Sequence, residues 1–394
     1  MTLPPGVNAK DFEAALTEFR QAVGGDWVFT SEADVALYKD AYSPFWGEPE
    51  EKVASAAVAP DSVEQVQQIV RTANKFKAPL YPISTGKNLG YGGSAPVLSG
   101  SVVLDLKRMN RVLEVNERNA TCLVEPGVSY FDLYRHLQDK GYKLWIDTPD
   151  PGWGSLIGNA LDRGGGYTAA MYRNHFDAHC GMEIVLANGE LMRTGMGALP
   201  GAQTWQQYKV GFGPWIDGMF SQSNFGIVTK MGFWLMPEPE AFLSGTVSVF
   251  RRDDLIPMVD ILNHLENTGI YTGMPFIGSP LLGPLSPGEQ LRYVPPPEVQ
   301  AMLATPGGPK QEDLERYGRE KGVGMWSAQL QFYGPEKVIR AQWEYSKERF
   351  AAIAGAKFED KEFYKLPLSA EQKEKVHKVV FGIPNLSMFF IGAR

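Results

Sequence analysis

The chain has 394 residues, of which 44% are hydrophobic, 21% charged and 12% aromatic. At roughly 100–200 residues per domain, this length predicts two or three domains, and the composition excludes wholesale disorder, collagen-like repeats and a disulfide scaffold. The 38 basic and 45 acidic side chains give a formal net charge of −7. This charge disfavours nucleic acid as a partner, because a polyanion is not attracted to a chain of the same sign.

Membrane and secretion signals are not visible in the sequence. No apolar run reaches the roughly 18 residues that a membrane helix needs, and the first residues lack the basic and apolar segments of a signal peptide. We therefore expect no membrane association and a cytoplasmic location. Cys122 and Cys180 lie in apolar, strand-like runs, where a buried free thiol is the common state.

The apolar spacing of Phe12, Leu16, Phe19 and Val23 predicts a first helix over 8–24. A β-α-β unit follows it. Its parts are a strand in 53–59, a helix over 61–77 capped by Asp61, and a strand in 79–84. The later elements of this half are predicted as strands in 101–106, 111–115 and 121–127, a helix over 130–140, and a hairpin that turns at Asn188 and Gly189.

A strand that begins near 226 ends at Pro237 and Pro239, where we place a domain boundary. Beyond it, a second α+β unit is predicted from strands in 246–250 and 325–334 and helices over 254–266 and 336–354. Nine of the 28 prolines lie between Met274 and Lys310. This density predicts an irregular segment there.

A first glycine-rich loop, from Ser84 to Gly93, places four glycines in eight positions directly after a predicted strand. Glycine permits positive φ and close approach, so that successive backbone N–H groups can surround a pyrophosphate without a formal positive charge. The loop is neither a Walker A motif nor a G-x-G-x-x-G that opens a helix. It favours a dinucleotide site, with a tight surface connection as the alternative.

A second stretch, 147–167, contains six glycines. Prolines on both sides hold Asp150 in a rigid, non-helical backbone, which is the setting that a catalytic base requires. Taken alone, an aspartate between prolines is more often a turn residue. Its position relative to the first loop favours the catalytic interpretation.

His175 and His179 are four residues apart and could face one way on a helix as metal ligands. The surrounding residues supply no third ligand at a useful spacing, which favours packing and hydrogen bonding instead. We predict no metal site, and a metal-dependent hydrolase is the least favoured function.

Several motifs occur together and in order along the chain: GKNLGYGGSAP, LVEPGV, GNALDRGGGYT, MEIVLANGELMRTGMG and NFGIVTKMGFWLMPEP. They resemble the vanillyl-alcohol oxidase and 4-cresol dehydrogenase (p-cresol methylhydroxylase) flavoprotein family, over about 41–385. The resemblance implies an α+β fold with a two-subdomain, PCMH-type FAD-binding domain at 1–237, followed by an α+β cap domain at 238–394.

The resemblance also implies roles for individual residues. FAD would be held by Ser84, Thr85, Gly86, Asn88, Leu89, Gly90, Gly93, Glu125, Pro126, Gly127, Gly158, Asn159, Gly226, Ile227 and Val228. Catalysis would involve Tyr91, which hydrogen-bonds the phenol oxygen, Asp150, which lies near the flavin N5 atom, and Tyr167, an active-site aromatic. Pro149 matches a proline that leaves dioxygen a way to the flavin, which favours an oxidase.

The implied reaction is the oxidation of para-substituted phenols, either 4-alkylphenols or 4-hydroxybenzyl alcohols, as in aromatic catabolism. An ionised phenol releases hydride from its benzylic carbon to the flavin and becomes a quinone methide, to which water adds. Asp150 would take the proton from that water. Dioxygen or a cytochrome c subunit would accept the electrons, and such a cytochrome could carry the chain to the periplasm.

The resemblance also marks where the chain departs from the family pattern. The alignment places Gly392 where tyrosine-linked members attach FAD, so no covalent link is assigned. The family's second phenol-binding tyrosine and its neighbouring arginine would follow Arg394. The resemblance as a whole implies an enzyme that forms homo-oligomers. The departures keep an alternative open, which is a truncated, catalytically incompetent FAD-binding fragment or a subunit that needs a partner chain.

Overall fold

The computed structural model describes residues 2–88, 93–168, 174–211, 213–283 and 294–387. The chain divides into two compact units. The first contains the described residues within 1–166, 172–237 and 378–394, and the second contains those within 167–171 and 238–377.

The regular elements of the described residues are mixed helices and strands. The α-helices are α1 (Ala9–Val23), α2 (Glu32–Ala36), α3 (Val63–Phe76), α4 (Tyr130–Lys140), α5 (Leu156–Leu161), α6 (Leu255–Asn267), α7 (Pro297–Leu303), α8 (Gln311–Lys321), α9 (Glu336–Phe350) and α10 (Ala370–Lys375). The strands are β1 (Val28–Phe29), β2 (Ala56–Val58), β3 (Leu80–Ile83), β4 (Val102–Asp105), β5 (Val112–Asn116), β6 (Thr121–Val124), β7 (Leu144–Trp145), β8 (His179–Leu186), β9 (Leu191–Arg193), β10 (Gly226–Trp234), β11 (Met236–Pro237), β12 (Ala241–Val249), β13 (Phe276–Gly278), β14 (Trp326–Gly334) and β15 (Lys357–Lys365).

The first sheet of the first unit has the strand order β1-β2-β4-β3. Strands β2 and β3 both run parallel to β4, and α3 supplies the crossover that joins β2 to β3. Helices α1 and α3 share its hydrophobic core, in which Phe12, Leu16, Val66 and Ile69 are fully buried. The end of β3 leads directly into the first glycine loop.

The second sheet of this unit is antiparallel, with the order β5-β6-β10-β8-β9. Helices α4 and α5 pack on it through Tyr130, Leu133 and Leu156, which join a core that includes Cys122 and Met231. The predicted hairpin is confirmed, since β8 and β9 pair across Asn188 and Gly189. This sheet therefore supports the second glycine stretch through α5.

The second unit contains an antiparallel sheet of order β13-β14-β12-β15. Helices α6 and α9 cover it, and Leu262, Ile339 and Trp343 are buried against it. Strand β12 is longer than the predicted 246–250 because its first residues pair with both β14 and β15.

The predicted cap of α3 is wrong by one residue. Ser62 is the N-cap and its Oγ accepts from the Gln65 backbone N–H at 3.4 Å. The Asp61 carboxylate instead accepts from Arg108 at 2.7 Å. The ion pair therefore holds Asp61 outside the helix.

The predicted irregular segment between Met274 and Lys310 contains two regular elements, β13 and α7. Proline is tolerated at the first helical position, where its missing N–H has no partner to lose, and Pro297 begins α7 in this way.

The charge-rich strand β15 was also missed by the sequence analysis. It lies at the edge of its sheet, where charged residues are common.

The chain passes from the first unit to the second between Pro237 and Glu238. Residues 378–387 return to the first unit, whereas the sequence-based boundary grouped them with the second. This last segment packs against β7, where Phe381 contacts Trp145 edge-on with 6.4 Å between ring centroids. The assignment of the units as FAD-binding domain and cap stays a prediction.

No helix among the residues described is long and apolar enough to cross a membrane.

Candidate active site

The first glycine loop closes on itself beyond β3. Gly86 and Gly93 both have positive φ, at 64° and 51°. Ser94 Oγ donates to the Gly86 carbonyl at 3.2 Å, and the Gly93 N–H donates to Asn88 Oδ1 at 2.5 Å. These bonds join the two arms of the loop. Three residues predicted in it, Leu89, Gly90 and Tyr91, lie outside the described residues.

The second glycine stretch contacts the first at Gly158, on α5. A Cβ atom at Gly158 would overlap the Ser84 hydroxyl, so the absence of a side chain at Gly158 makes room for the Ser84 side chain. Ser155 caps α5, because its Oγ accepts from the Gly158 N–H at 3.2 Å. The same hydroxyl donates to the Pro126 carbonyl at 2.6 Å. The structure thus brings together three segments that the sequence analysis assigned to FAD.

A polar contact adds to this junction, since the Asn88 side chain hydrogen-bonds Asp162. Desolvation raises the pKa of Asp162, and the bond from Asn88 offsets part of that rise. Burial, together with the charges of Asp162 and Asp40, also raises the pKa of Tyr81. These groups surround the base of the first loop.

Glu125 is committed to a structural ion pair. Its carboxylate is 2% exposed and accepts three hydrogen bonds from Arg111, from the backbone N–H at 2.9 Å, from Nε at 2.9 Å and from Nη2 at 2.5 Å. Gly127 has no room for a side chain, since a Cβ atom there would lie 2.5 Å from the Lys107 carbonyl. The backbone of the segment is engaged as well, since the Glu125 N–H donates to the Arg111 carbonyl at 3.1 Å and the Gly127 N–H donates to the Met109 carbonyl at 2.7 Å. Both the carboxylate and these amides therefore hold the fold together.

Gly226, Ile227 and Val228 begin β10 and pair with Leu186, Val185 and Ile184 of β8 in that order. The Val228 side chain is buried in the core of the antiparallel sheet, and Ile227 packs against the core of the other sheet. Their side chains serve packing, which leaves their backbone as the part that could line a cofactor.

The Asp150 loop is held from two sides. Asp150 is half-buried, and the Asp150–Pro151 peptide bond is cis. The Gly152 N–H donates to the Asn385 carbonyl at 2.9 Å, and the Gly152 carbonyl accepts from the Phe131 N–H at 3.2 Å. A Cβ atom at Gly152 would lie 2.7 Å from the Phe131 ring and 2.8 Å from Pro384. The loop is therefore packed between α4 and the last described segment.

His175 occupies a position that the sequence analysis assigned to packing and hydrogen bonding, and that interpretation is confirmed. It is 5% exposed, and its Nε2 lies 2.9 Å from Asp147 Oδ2. Its Nδ1 lies 3.0 Å from the Tyr130 hydroxyl and also contacts Asn159 Oδ1. No local sequence signal links these residues, because the three partners are 16, 28 and 45 positions away.

His179 has a separate partner. Its Nε2 lies 2.8 Å from Asp217 Oδ2, and both side chains are fully buried. Within the described residues, no group of three or more histidine, cysteine, aspartate or glutamate side chains could hold a metal ion.

Tyr167 belongs to the second unit. Its ring stacks on Phe276 at 5.7 Å and meets His377 edge-on at 5.5 Å. The second unit thus holds a cluster of three rings at the position predicted for an active-site aromatic.

Comparison with known proteins covers both glycine-rich segments. Residues 54–195 match the FAD binding domain family. The flavoprotein subunit of 4-cresol dehydrogenase (hydroxylating) from Pseudomonas putida is 35% identical over 390 residues, which are 98% of this chain and 72% of that protein.

Two solved structures superpose on nearly the whole chain. The crystal structure of p-cresol methylhydroxylase with substrate bound has a TM-score of 0.82 at 33% identity, covering 99% of this chain and 73% of the other. The 4-ethylphenol oxidase from Gulosibacter chungangensis, in its isoeugenol complex, has a TM-score of 0.82 at 39% identity, covering 99% of this chain and 74% of the other.

The PCMH-type fold and the matched domain define a flavoprotein oxidoreductase, and FAD is its cofactor. More narrowly, the chain belongs to the family of the 4-cresol dehydrogenase (p-cresol methylhydroxylase) flavoproteins, which confirms the resemblance and the fold class drawn from the motifs.

The residues present fit FAD. Glycine at 86 and 158 lets the Ser94 and Ser84 hydroxyls pack where a Cβ atom would overlap them, and a glycine loop folded this tightly is of the kind that surrounds a pyrophosphate with backbone amides. The Ser84 and Thr85 hydroxyls add hydrogen-bond donors to backbone amides at the same loop. Such a donor set holds a dianionic group without basic side chains, in agreement with the net charge of −7.

Proposed function

We propose that the chain oxidises para-substituted phenols, 4-alkylphenols or 4-hydroxybenzyl alcohols, with FAD. The observation that carries the proposal is the likeness, over nearly the whole chain, to proteins named for 4-cresol and 4-ethylphenol oxidation. The junction of the two glycine-rich segments at Ser84 and Gly158 supports it, since both segments are assigned to the same cofactor.

When bound, FAD supplies the acceptor for a hydride from the benzylic carbon, so that an ionised 4-alkylphenol becomes a quinone methide to which water adds. Asp150 takes the proton that this water loses, and its packed loop holds the carboxylate in one place while it does so. Tyr91, carried over from the family pattern, donates a hydrogen bond to the phenol oxygen and favours its ionised form.

Tyr167 supplies an apolar face for a substrate ring. Its stacking on Phe276 and its edge contact with His377 fix the ring plane. Aromatic side chains held in this way favour a planar aromatic substrate over a flexible one.

The electron acceptor is dioxygen or a cytochrome c subunit. Pro149 in the Asp150 loop favours dioxygen by resemblance. The name of the relative from Pseudomonas putida, a flavoprotein subunit, favours a partner chain instead.

Anaerobic reduction tests the proposal. Protein reconstituted with FAD is mixed with 4-ethylphenol without oxygen, and we expect the visible absorption of oxidised flavin to bleach. Reoxidation by air or by added cytochrome c then distinguishes the acceptors. Flavin that binds and does not bleach with any 4-alkylphenol or 4-hydroxybenzyl alcohol would contradict the proposal and favour the non-catalytic FAD-binding alternative.

A further inference from the structure

His175 joins three separate parts of the first unit. Tyr130 lies on α4, Asn159 lies on α5, and Asp147 lies in the segment that leads to Asp150. The imidazole is nearly inaccessible to solvent, at 5% exposure. A buried histidine with a partner for each ring nitrogen has its ring plane fixed, because rotation would break both contacts.

The glycines of the second stretch close the space around this histidine. A Cβ atom at Gly164 would lie 2.5 Å from Asn159 Oδ1, and one at Gly166 would overlap the Asp147 carboxylate. The Gly164 carbonyl also accepts from the backbone N–H of His175 at 2.7 Å. The backbone of 164–166 therefore packs directly on the two side chains that His175 contacts.

The two ring nitrogens have different tasks. The Asp147 carboxylate accepts hydrogen bonds only, so Nε2 is the donor in that pair. Nδ1 is then the acceptor of the ring: the Tyr130 hydroxyl donates to it at 3.0 Å, and the Asn159 carboxamide packs against the same nitrogen. A single side chain thus couples a residue assigned to the flavin with the segment that carries the catalytic aspartate.

We propose that His175 is a positioning residue: its Nδ1, with the Tyr130 hydroxyl, fixes the place of the Asn159 carboxamide, which is assigned to FAD, and its Nε2 holds Asp147 and thereby the Asp150 loop, three residues further on. The inference rests on the proposed function for the part that concerns Asp150. The part that concerns Asn159 needs only FAD binding.

Two substitutions separate the two nitrogens. In His175→Asn the side-chain amide reaches the place of Nδ1, where its oxygen can accept from the Tyr130 hydroxyl. In His175→Gln the side-chain amide reaches the place of Nε2, where its nitrogen can donate to Asp147. We expect H175N to bind FAD with an affinity within about threefold of the parent. Its kcat on 4-ethylphenol should be about 10- to 100-fold lower at an unchanged KM, and hydrogen exchange in 147–154 should increase. We expect H175Q to show the opposite pattern, with FAD affinity about tenfold weaker, an altered flavin absorption spectrum and exchange in 147–154 near the parent.

His136→Asn and His136→Gln are the matched controls, since His136 lies half-buried on α4 and outside this network. Both should match the parent. The proposal would be overturned if H175N and H175Q lost FAD affinity, turnover and exchange protection equally, and in proportion to their loss of thermal stability. His175 would then only stabilise the fold.

Asp147→Ala provides a second test if either His175 variant folds poorly. It removes the acceptor of the Nε2 hydrogen bond, so it should reproduce the increased exchange in 147–154 and leave FAD affinity unchanged. A D147A protein with parental exchange would overturn the Nε2 part. If the parent binds FAD but oxidises no phenol, the proposed function fails, whereas FAD affinity and hydrogen exchange still decide the roles of the two nitrogens.

Discussion

Gly158 shows how a single missing side chain can determine whether two distant loops meet. Its Cα faces Ser84, and a methyl group would occupy the volume of the Ser84 hydroxyl. The next Ser84 atom, Cβ, would lie at 3.4 Å, which is an ordinary contact, so the hydroxyl alone has to turn to another rotamer when a methyl group is added.

Gly158→Ala should therefore weaken FAD binding about tenfold, because the methyl group turns the Ser84 hydroxyl, a donor assigned to FAD, out of its place. Fluorescence titration of the apoprotein with FAD measures the change. Ser84→Ala removes the same hydroxyl without the overlap and should weaken binding by a similar factor. Gly25→Ala is the control, since a Cβ atom there meets nothing within 4 Å. Parental affinity in G158A would show that the place of the Ser84 hydroxyl does not matter for FAD binding.

Asp150 is the second residue whose role depends on its chemistry. Asp150→Asn keeps the packing of the loop and removes the carboxylate that we propose as the proton acceptor, so we expect kcat on 4-ethylphenol to fall about 10²- to 10⁴-fold. FAD affinity should stay the same. Steady-state turnover and FAD titration measure both, and Asp139→Asn, at an exposed position on α4, is the control. Parental turnover in D150N would assign the proton transfer to another group.

Among the elements, those with local signals were predicted well. Helix α4 has the predicted bounds because Ser129 and Asp132 form a capping box and Gly141 ends the helix with a φ of 69°. These interactions span three or four residues, so the sequence shows them directly. The cap of α3 was misplaced for the opposite reason, since Arg108 binds Asp61 from 47 positions away.

The ion pair between Arg111 and Glu125 ties the start of β5 to the end of β6. Arg111→Ala removes the two side-chain donors, Nε and Nη2, and leaves the buried carboxylate with the backbone N–H alone. This loss should cost about 1–3 kcal/mol and lower the Tm of the protein. Arg111→Lys should lose less, because one cationic donor remains. Arg118→Ala, at an exposed position on the turn between the same strands, should leave Tm unchanged. Equal Tm values for R111A and R118A would show that the pair contributes nothing.

For the molecule as a whole, the motifs predicted the family and the cofactor, and the three-dimensional contacts added what the motifs omit. Ser84 and Gly158 were both assigned to FAD, yet their contact joins residues 74 positions apart and has no signature in either segment. Glu125 was assigned to the cofactor, and its carboxylate is engaged by Arg111. A motif identifies residues that matter, and it does not say whether the side chain or the backbone is used.

Buried ionisable groups occur in both units and make the stability of the whole molecule depend on pH. Burial raises the pKa of Cys122 far above its usual value of 9.0, and it raises the pKa of Cys180 to about 12. Burial also raises the pKa of Tyr130 in the first unit and of Tyr271 in the second. Above pH 9 the unfolded chain loses protons that the folded chain keeps, so stability falls as pH rises.

Cys122→Ala should reduce this alkaline loss, because the variant removes one of the protons that only the folded state retains. At pH 10.5 the thiol costs the parent about 2 kcal/mol relative to pH 8, from a slope of at most about 1.4 kcal/mol per pH unit. The stability difference between C122A and the parent should therefore shift by that amount in favour of C122A between the two pH values. Urea unfolding at each pH measures this shift.

Val124→Ala is the control, at a fully buried position in the same core. It makes a cavity without removing an ionisable group, so its difference in stability from the parent should be the same at both pH values. The expected shift has a physical cause: the Cys122 side chain has no solvent exposure and lies in an apolar core, where the thiolate is disfavoured. A difference between C122A and the parent that does not change with pH would contradict this, because it would mean that the thiol loses its proton as readily in the folded chain as in the unfolded one.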